Sequence, residues 1–136
     1  MKALILEDDK TRQRAIRLIR NHGFSIVRIV ETAEDAIDAL IEADDWDLVC
    51  LDHDLGGEEM VDSPGQGAGY EVACWLEANR PGQAVVIHSL NPVGRDKMAA
   101  ALPGAVIYPE AWKLPETLKL VARRAAEMRG KAKGGG

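Results

Sequence analysis

The sequence has few histidines and cysteines and no long hydrophobic run. Three histidines among 136 residues are too few for a histidine-rich site that holds two metal ions. Every apolar run is far shorter than the roughly 20 residues that span a bilayer, and the start, MKALILEDD, is too short and acidic for a signal peptide. The net charge of -5 disfavours nucleic-acid binding by the surface as a whole. We therefore expect a cytoplasmic domain without membrane contact.

The two cysteines, Cys50 and Cys74, lie in apolar segments and lack CxxC spacing. We interpret both as buried free thiols in a reducing compartment, rather than as a disulfide or metal ligands. The chain length suits one domain with one core. We place this domain at residues 1–128 and a flexible tail at residues 129–136, where the sequence RGKAKGGG is small and polar.

Short apolar runs alternate with segments of helical periodicity. The predicted strands are Ala3–Leu6, Phe24–Val30, Leu48–Leu51, Ala84–Ile87 and Ala105–Tyr108. Five helices are predicted. The first ends at about His22, before Gly23, the second starts at Thr32, and the third spans Gly69–Asn79. The fourth starts at Asn91-Pro92 and the fifth at Leu114-Pro115. Strands this apolar are buried on both faces, as in a parallel sheet between helices. Right-handed crossovers then predict a flavodoxin-like, doubly wound α/β sandwich with strand order 2-1-3-4-5.

Acidic residues follow two strands that this order makes neighbours. Glu7 and Asp8 follow the first strand, and Asp52 and Asp54 follow the third. Ligands bind such sheets at the carboxyl ends of the strands, where the strand order reverses. A hard divalent cation relieves the repulsion between these carboxylates, and Mg²⁺ suits oxygen ligands. The sequence therefore predicts a magnesium site among the acidic residues at these two strand ends: Glu7, Asp8, Asp9, Asp52 and Asp54.

Two further residues complete a set of groups for phosphoryl transfer. Ser89 follows the fourth strand and brings a hydroxyl to the same edge. Lys113 follows the fifth strand and can place a compact positive charge beside a phosphoryl oxygen. Metal, nucleophile, hydrogen-bond donor and cation together are the parts that phosphoryl transfer needs.

These residues resemble the receiver domain of two-component response regulators. The opening ALILEDDKTR is similar to the receiver acidic-pair motif, and DLVCLD is similar to the strand that ends in the phosphoacceptor. The resemblance implies that Asp52 is the phosphoacceptor and that Glu7 and Asp8 are the acidic pair. It further implies that the Asp54 carbonyl ligates the metal, and that Ser89 and Lys113 contact the phosphoryl group.

Several positions depart from the usual receiver pattern. Gly56 stands where receivers usually carry proline, and the segment from Gly56 to Gly69 is long, Gly-rich and acidic. The sequences LDHDL and HSLN resemble a divergent branch of receiver-like domains that are proposed to process cyclic phosphates. That resemblance makes a metal-dependent phosphoesterase the alternative to a signalling receiver.

The two histidines near these motifs, His53 and His88, have open roles. Each is able to act as a general acid or base near neutral pH or to bind phosphate. Strand alternation, however, directs a residue adjacent to a site residue to the opposite face unless the strand has ended. A structural or supporting role is therefore our interpretation of His88, and both roles stay open for His53.

A basic surface is predicted away from the acidic edge. The first and fifth helices cover the same sheet face in this order and carry outward cations: Lys10, Arg14, Arg17, Arg20, Lys119, Arg123 and Arg124. A solvated face is the simpler interpretation, and a protein or nucleic-acid partner is the alternative.

Our leading hypothesis is a stand-alone receiver-like domain that handles phosphate with Mg²⁺ at Asp52. The phosphodonor would be a histidine kinase or a small acyl phosphate, and the output would be contact with a protein partner. The alternatives are the phosphoesterase, with His88 on the substrate side, and a pseudo-receiver that only binds a partner. The sequence leaves open whether the protein turns over a substrate.

Overall fold

The computed structural model describes residues 1–52, 68–109 and 115–134, in which five strands alternate with five α-helices. The strands are β1 (Lys2–Leu6), β2 (Ile26–Val30), β3 (Leu48–Leu51), β4 (Val85–Ile87) and β5 (Val106–Ile107). The helices are α1 (Lys10–Arg17), α2 (Ala33–Glu42), α3 (Ala68–Asn79), α4 (Pro92–Ala101) and α5 (Leu118–Gly134). The described helices include none that is long and apolar enough to cross a membrane.

The five strands form one parallel sheet in the order 2-1-3-4-5, which confirms the predicted fold. Leu6 of β1 pairs with Leu51 of β3, and Leu51 pairs with Ile87 of β4. The residues that follow these three leave the sheet side by side, because the strands are parallel and in register. The register therefore decides which side chains meet at the carboxyl edge.

Each face of the sheet is covered by its own layer of helices. Helices α2, α3 and α4 pack on one face, over a core that includes Leu4, Leu6, Val49, Leu51, Val85 and Ile87. Helices α1 and α5 pack on the other face, over a core that includes Ala3, Ile5, Leu48, Cys50, Ala84 and Val86. Both faces of the central strands are thus buried, as their apolar sequences predict.

Side-chain caps fix the starts of three helices. Thr32 caps α2 by accepting a hydrogen bond from the Asp35 N–H (3.1 Å), as predicted. Asn91 caps α4, which begins at Pro92, by accepting bonds from two N–H groups, and Asp9 caps α1 through the N–H of Arg12 (2.9 Å). All three caps follow strands at the carboxyl edge of the sheet, so they hold the connections there in place.

Short 3₁₀ segments adjoin the first and last α-helices. A 3₁₀ segment, Leu18–His22, follows α1 and ends at Gly23, whose φ of 101° suits glycine. A 3₁₀ turn, Pro115–Thr117, precedes α5. Helix α5 then continues to Gly134, so the predicted domain boundary at residue 128 falls inside this helix.

Arg129 is buried in that part of α5. Its Nη1 donates to the carbonyl of Pro103 (2.7 Å), its Nε donates to the carbonyl of Gln83 (3.1 Å), and its Nη2 pairs with Glu77 (2.9 Å). The two carbonyls lie in the segments that lead into β4 and β5, so these hydrogen bonds hold the end of α5 against the sheet.

The cysteines differ from each other. Cys50 is buried in the core between β1 and β4, and burial raises the pKa of its thiol. Cys74 is a free but exposed thiol, so the prediction that it is buried was wrong. The periodicity of α3 explains the difference, because Val72, Ala73 and Leu76 form its buried side.

The cations predicted on the first and fifth helices lie on the same side of the sheet, and all of them are exposed. Lys10 forms an ion pair with Glu31 of the loop after β2. A partner for this basic surface stays a prediction.

Candidate functional site

Three polar side chains form a row directly beyond the last paired residues of the sheet. Glu7 follows β1, Asp52 follows β3 and His88 follows β4, and backbone bonds continue the sheet through them: the Asp52 N–H donates to Leu6 (3.2 Å) and the His88 N–H donates to Leu51 (3.0 Å). Alternation directs all three to the α1/α5 face. One ligand atom from each lies within 4.8 Å of the others, and all three residues are buried.

Several hydrogen bonds hold Glu7 in this row. Its Oε1 lies 3.2 Å from Nε2 of His88, and its Oε2 accepts a hydrogen bond from the Asp9 N–H (3.2 Å). Its backbone carbonyl accepts a bond from the Gln13 side chain (2.7 Å). These contacts fix the carboxylate in one orientation and partly replace the water that burial removes.

Arg12 adds a cation to the row. Its Nη1 lies 3.4 Å from Oε1 of Glu7 and 3.5 Å from Oδ2 of Asp52. The Arg12 side chain is 37% exposed, whereas those of Glu7 and Asp52 are almost fully buried. Arg12 therefore lies on the solvent side of the two carboxylates. Sequence reasoning missed this residue, although its place in the first turn after an acidic strand end was an available signal.

The ionisation of the row follows from these contacts. Burial raises the pKa of Glu7. The hydrogen bond and charge of His88, the Asp9 N–H and the charge of Arg12 lower it, and together they outweigh burial, so the pKa of Glu7 lies below its ordinary value. Burial lowers the pKa of His88, and this outweighs the opposing effect of Glu7. Glu7 is thus ionised near neutral pH and His88 is neutral. A neutral ring bonded to a carboxylate carries its proton on Nε2, which makes Nδ1 the basic nitrogen.

Ser89 and Asn91 belong to the turn that leads into α4. Ser89 is buried, and its Oγ accepts a hydrogen bond from the Asn91 N–H (3.1 Å). Ser89 lies one residue beyond the row, so alternation directs it towards the α2–α4 face. The predicted contact between Ser89 and a phosphoryl group remains a prediction.

Gly69, at the start of α3, touches the backbone of Asp52. A Cβ at this position would lie 2.3 Å from the Asp52 carbonyl oxygen and 2.7 Å from Sδ of Met98. Only glycine permits this approach. The contact fixes the backbone of Asp52 from the α3 side of the sheet.

The other predicted site residues are not part of the row. Asp8 is half-buried next to Glu7 and is not a member of the described three-residue group. His53, Asp54 and Lys113 lie outside the described residues, as does most of the segment from Gly56 to Gly69. Their predicted roles stay predictions.

The row suits Mg²⁺ through its carboxylates. Mg²⁺ binds proteins through one or two carboxylates and keeps positions for water and phosphate. Imidazole suits transition metals better, and Nε2 of His88 already contacts Glu7. Glu7 and Asp52 are therefore the described residues that would hold Mg²⁺, with Asp8 as the predicted third.

The comparisons with known proteins agree with this fold. The sequence profile of the family described as "cyclic-phosphate processing receiver domain" matches residues 2–103. The search of curated proteins gives no match.

Several solved structures share the fold at low identity. NtrX from Brucella abortus in complex with ADP is 21% identical with a TM-score of 0.72, and the match covers 98% of this chain but 28% of the NtrX chain. A response regulator receiver domain protein from Clostridium thermocellum is 16% identical with a TM-score of 0.68 over 95% of this chain and 96% of that one. The signal receiver domain of an HD domain-containing protein from Pseudomonas fluorescens Pf-5 is 13% identical, with a TM-score of 0.70 over 98% and 91% of the two chains.

Proposed function

This chain belongs to the cyclic-phosphate processing receiver domain family, and we propose that it hydrolyses a cyclic phosphate with Mg²⁺ at the row of Glu7, Asp52 and His88. The observation that carries the proposal is the contact between His88 and Glu7 (3.2 Å) inside this row. Formation of an acyl phosphate on Asp52 needs a metal, an acceptor and a cation, but no histidine. Cleavage of an ester needs proton transfer as well, which a histidine beside the acids would supply.

The charges of the row suit a phosphate ligand only when a cation is present. Glu7 and Asp52 would repel an anion, and Arg12 neutralises one of their two charges. Mg²⁺, when bound, would neutralise the phosphate oxygens and make the phosphorus more open to attack. Glu7 and Asp52 would hold it, which explains why two carboxylates are buried beside each other.

The hydrolysis adds one water molecule across a P–O bond. The water oxygen forms the new bond to phosphorus, one ester P–O bond of the ring breaks, and the proton released by the water must reach the leaving oxygen. We assign both proton transfers to His88, which would take the proton at Nδ1 and return it to the leaving oxygen. Glu7 would orient the ring through Nε2 and stabilise the imidazolium that forms in between.

The second candidate is phosphorelay signalling with Asp52 as the phosphoacceptor. It is favoured by the position of Asp52 on a receiver fold, in the middle of the row between Glu7 and His88 and in contact with Arg12. A histidine kinase or a small acyl phosphate would supply the phosphoryl group, with Ser89 and Lys113 contacting its oxygens, and a protein partner would receive the signal. Both candidates fit a cytoplasmic domain.

Counting product molecules per chain by ³¹P NMR separates the two. With Mg²⁺ and a five-membered cyclic phosphate such as a nucleoside 2′,3′-cyclic phosphate, we expect many molecules of monoester per chain, and none from Asp52→Asn. A signalling receiver would instead take about one phosphoryl group per chain from acetyl phosphate and leave the cyclic phosphate intact. Failure of both reactions in a protein that still binds Mg²⁺ would indicate a module that only binds a partner.

A further inference from the structure

Arg12 occupies the position from which a cation would neutralise both buried acids. Its Nη1 contacts Glu7 and Asp52 at once, at 3.4 and 3.5 Å. The two carboxylates cannot hold a divalent ion and a guanidinium at the same place, because the two cations repel each other. Binding of Mg²⁺ to these carboxylates and the observed position of Arg12 therefore oppose one another.

We propose that Arg12 closes this site in the metal-free protein and becomes its phosphate-binding residue once Mg²⁺ displaces it. This inference rests on the proposed function only in requiring that Mg²⁺ and a phosphate-like anion bind at Asp52. It holds for cyclic-phosphate hydrolysis and for phosphorylation of Asp52.

The contacts of Arg12 suit a side chain that moves. Charge-assisted hydrogen bonds between nitrogen and oxygen are typically about 2.7–2.9 Å long, so both contacts of Nη1 are loose. The backbone of Arg12 is fixed by the bond from its N–H to Oδ1 of Asp9 (2.9 Å). A long side chain on a fixed backbone and 37% exposed can leave the acids while its Cα stays in place.

The unused donors of Arg12 suit a phosphate. A guanidinium has five N–H donors in a planar fork that matches two phosphate oxygens. Nε and Nη2 make no hydrogen bond within residues 1–52, 68–109 and 115–134, and Nη1 already lies beside Oδ2 of Asp52. A phosphoryl group on or next to Asp52 would thus lie within reach of two adjacent nitrogens. Lys10, two residues earlier, pairs with Glu31 instead.

This arrangement couples the two ligands. The guanidinium competes with Mg²⁺ for the acids but assists the anion, so Arg12 makes metal binding weaker and anion binding stronger. Binding of Mg²⁺ releases Arg12 for the anion, and by linkage the anion favours the metal-bound site to the same extent.

Calorimetric titrations test the proposal with Mg²⁺ alone and then with beryllofluoride at saturating Mg²⁺. In Arg12→Gln we expect Mg²⁺ to bind about three- to tenfold tighter, because a competing cation is gone. Beryllofluoride should bind about 10- to 100-fold more weakly, because hydrogen bonds to a charged group are lost. Arg12→Lys should keep the parent affinity for Mg²⁺ but bind beryllofluoride less tightly. Arg14→Gln, a neutralisation of an exposed arginine on the same helix, is the matched control and should change neither affinity.

Other results would overturn the inference. If Arg12→Gln binds Mg²⁺ no tighter and beryllofluoride as well as the parent, Arg12 is only a structural counter-ion. If Arg12→Gln does not fold, equal beryllofluoride binding by Arg12→Lys and the parent leads to the same conclusion. A parent protein that binds no beryllofluoride with Mg²⁺ also overturns the inference. A parent that binds it but hydrolyses no cyclic phosphate leaves the inference standing and overturns only the proposed hydrolysis.

Discussion

Both the amino and the carboxyl edge of the sheet carry acidic residues, but a pair of them is exposed at the amino edge and another pair is buried at the carboxyl edge. At the amino edge, Asp45 and Asp47 are exposed; Asp45 pairs with the Lys2 side chain, and Asp47 accepts a bond from the Lys2 N–H (2.7 Å). At the carboxyl edge, Glu7 and Asp52 are buried beside each other. Burial of a carboxylate is costly, whereas an exposed ion pair contributes little in either direction. Burial, rather than the number of acids, therefore marks the functional edge.

The largest expected effect is on catalysis at the carboxyl edge. His88→Gln should slow turnover of a cyclic phosphate by about 10²- to 10⁴-fold, because glutamine can donate to Glu7 but cannot carry a proton between water and leaving group. Steady-state rates at saturating Mg²⁺ measure this. Asp45→Asn, at the amino edge, should leave the rate unchanged, and a rate within threefold of the parent for His88→Gln would remove His88 from the mechanism.

The second effect concerns the packing of α3 on Asp52. Gly69→Ala should destabilise the protein by about 1–3 kcal/mol, because the new Cβ meets a backbone carbonyl that must shift. Gly130→Ala is the matched control: its Cβ would have no neighbour within 4 Å, so helix propensity should stabilise the protein by about 0.5–1 kcal/mol. Urea unfolding measures both. Equal stabilities of the two variants would mean that α3 does not pack closely against the backbone of Asp52 at Gly69.

The third effect is a pH dependence at the carboxyl edge. Burial holds the pKa of His88 below its ordinary value, so the unfolded chain takes up this proton first as the pH falls. The metal-free protein should therefore lose stability as the pH falls below about 6.5, by up to about 1.4 kcal/mol per pH unit. Glu7, whose pKa is also lowered, contributes its loss only below its ordinary range near pH 4.5. In His88→Gln the slope between pH 6.5 and 5 should become flatter; an unchanged slope would place the titrating group elsewhere.

Most of the fold could be predicted because its signals are local. Apolar runs such as Leu48–Leu51 mark central strands, and Thr32 and Asn91 mark helix starts, each by a bond to a residue within three positions. The order of the sheet then follows from the handedness of the crossovers. Cys74 was misassigned because its segment is apolar on average, while only the helical phase decides which side is buried.

The site could be predicted only in part because it depends on register. The meeting of Glu7 and Asp52 follows from strand order, and it was expected. The place of His88 beside Glu7 depends on which residue of β4 pairs with Leu51, which no local pattern encodes. Arg12 was missed although it stands in the first turn after an acidic strand end, because its contact with Asp52 spans 40 residues and requires α1 to cover the correct face.

The most direct test of the functional edge is a calorimetric titration of the metal-free protein with Mg²⁺. We predict one site in the parent and in Asp45→Asn, and an affinity lower by on the order of tenfold or more in Asp52→Asn, since a ligand is lost. Asp45 and Asp52 are both aspartates beside β3, so the pair compares the two edges at constant chemistry. Equal Mg²⁺ affinities of Asp52→Asn and the parent would contradict the assignment of the buried row as the metal site.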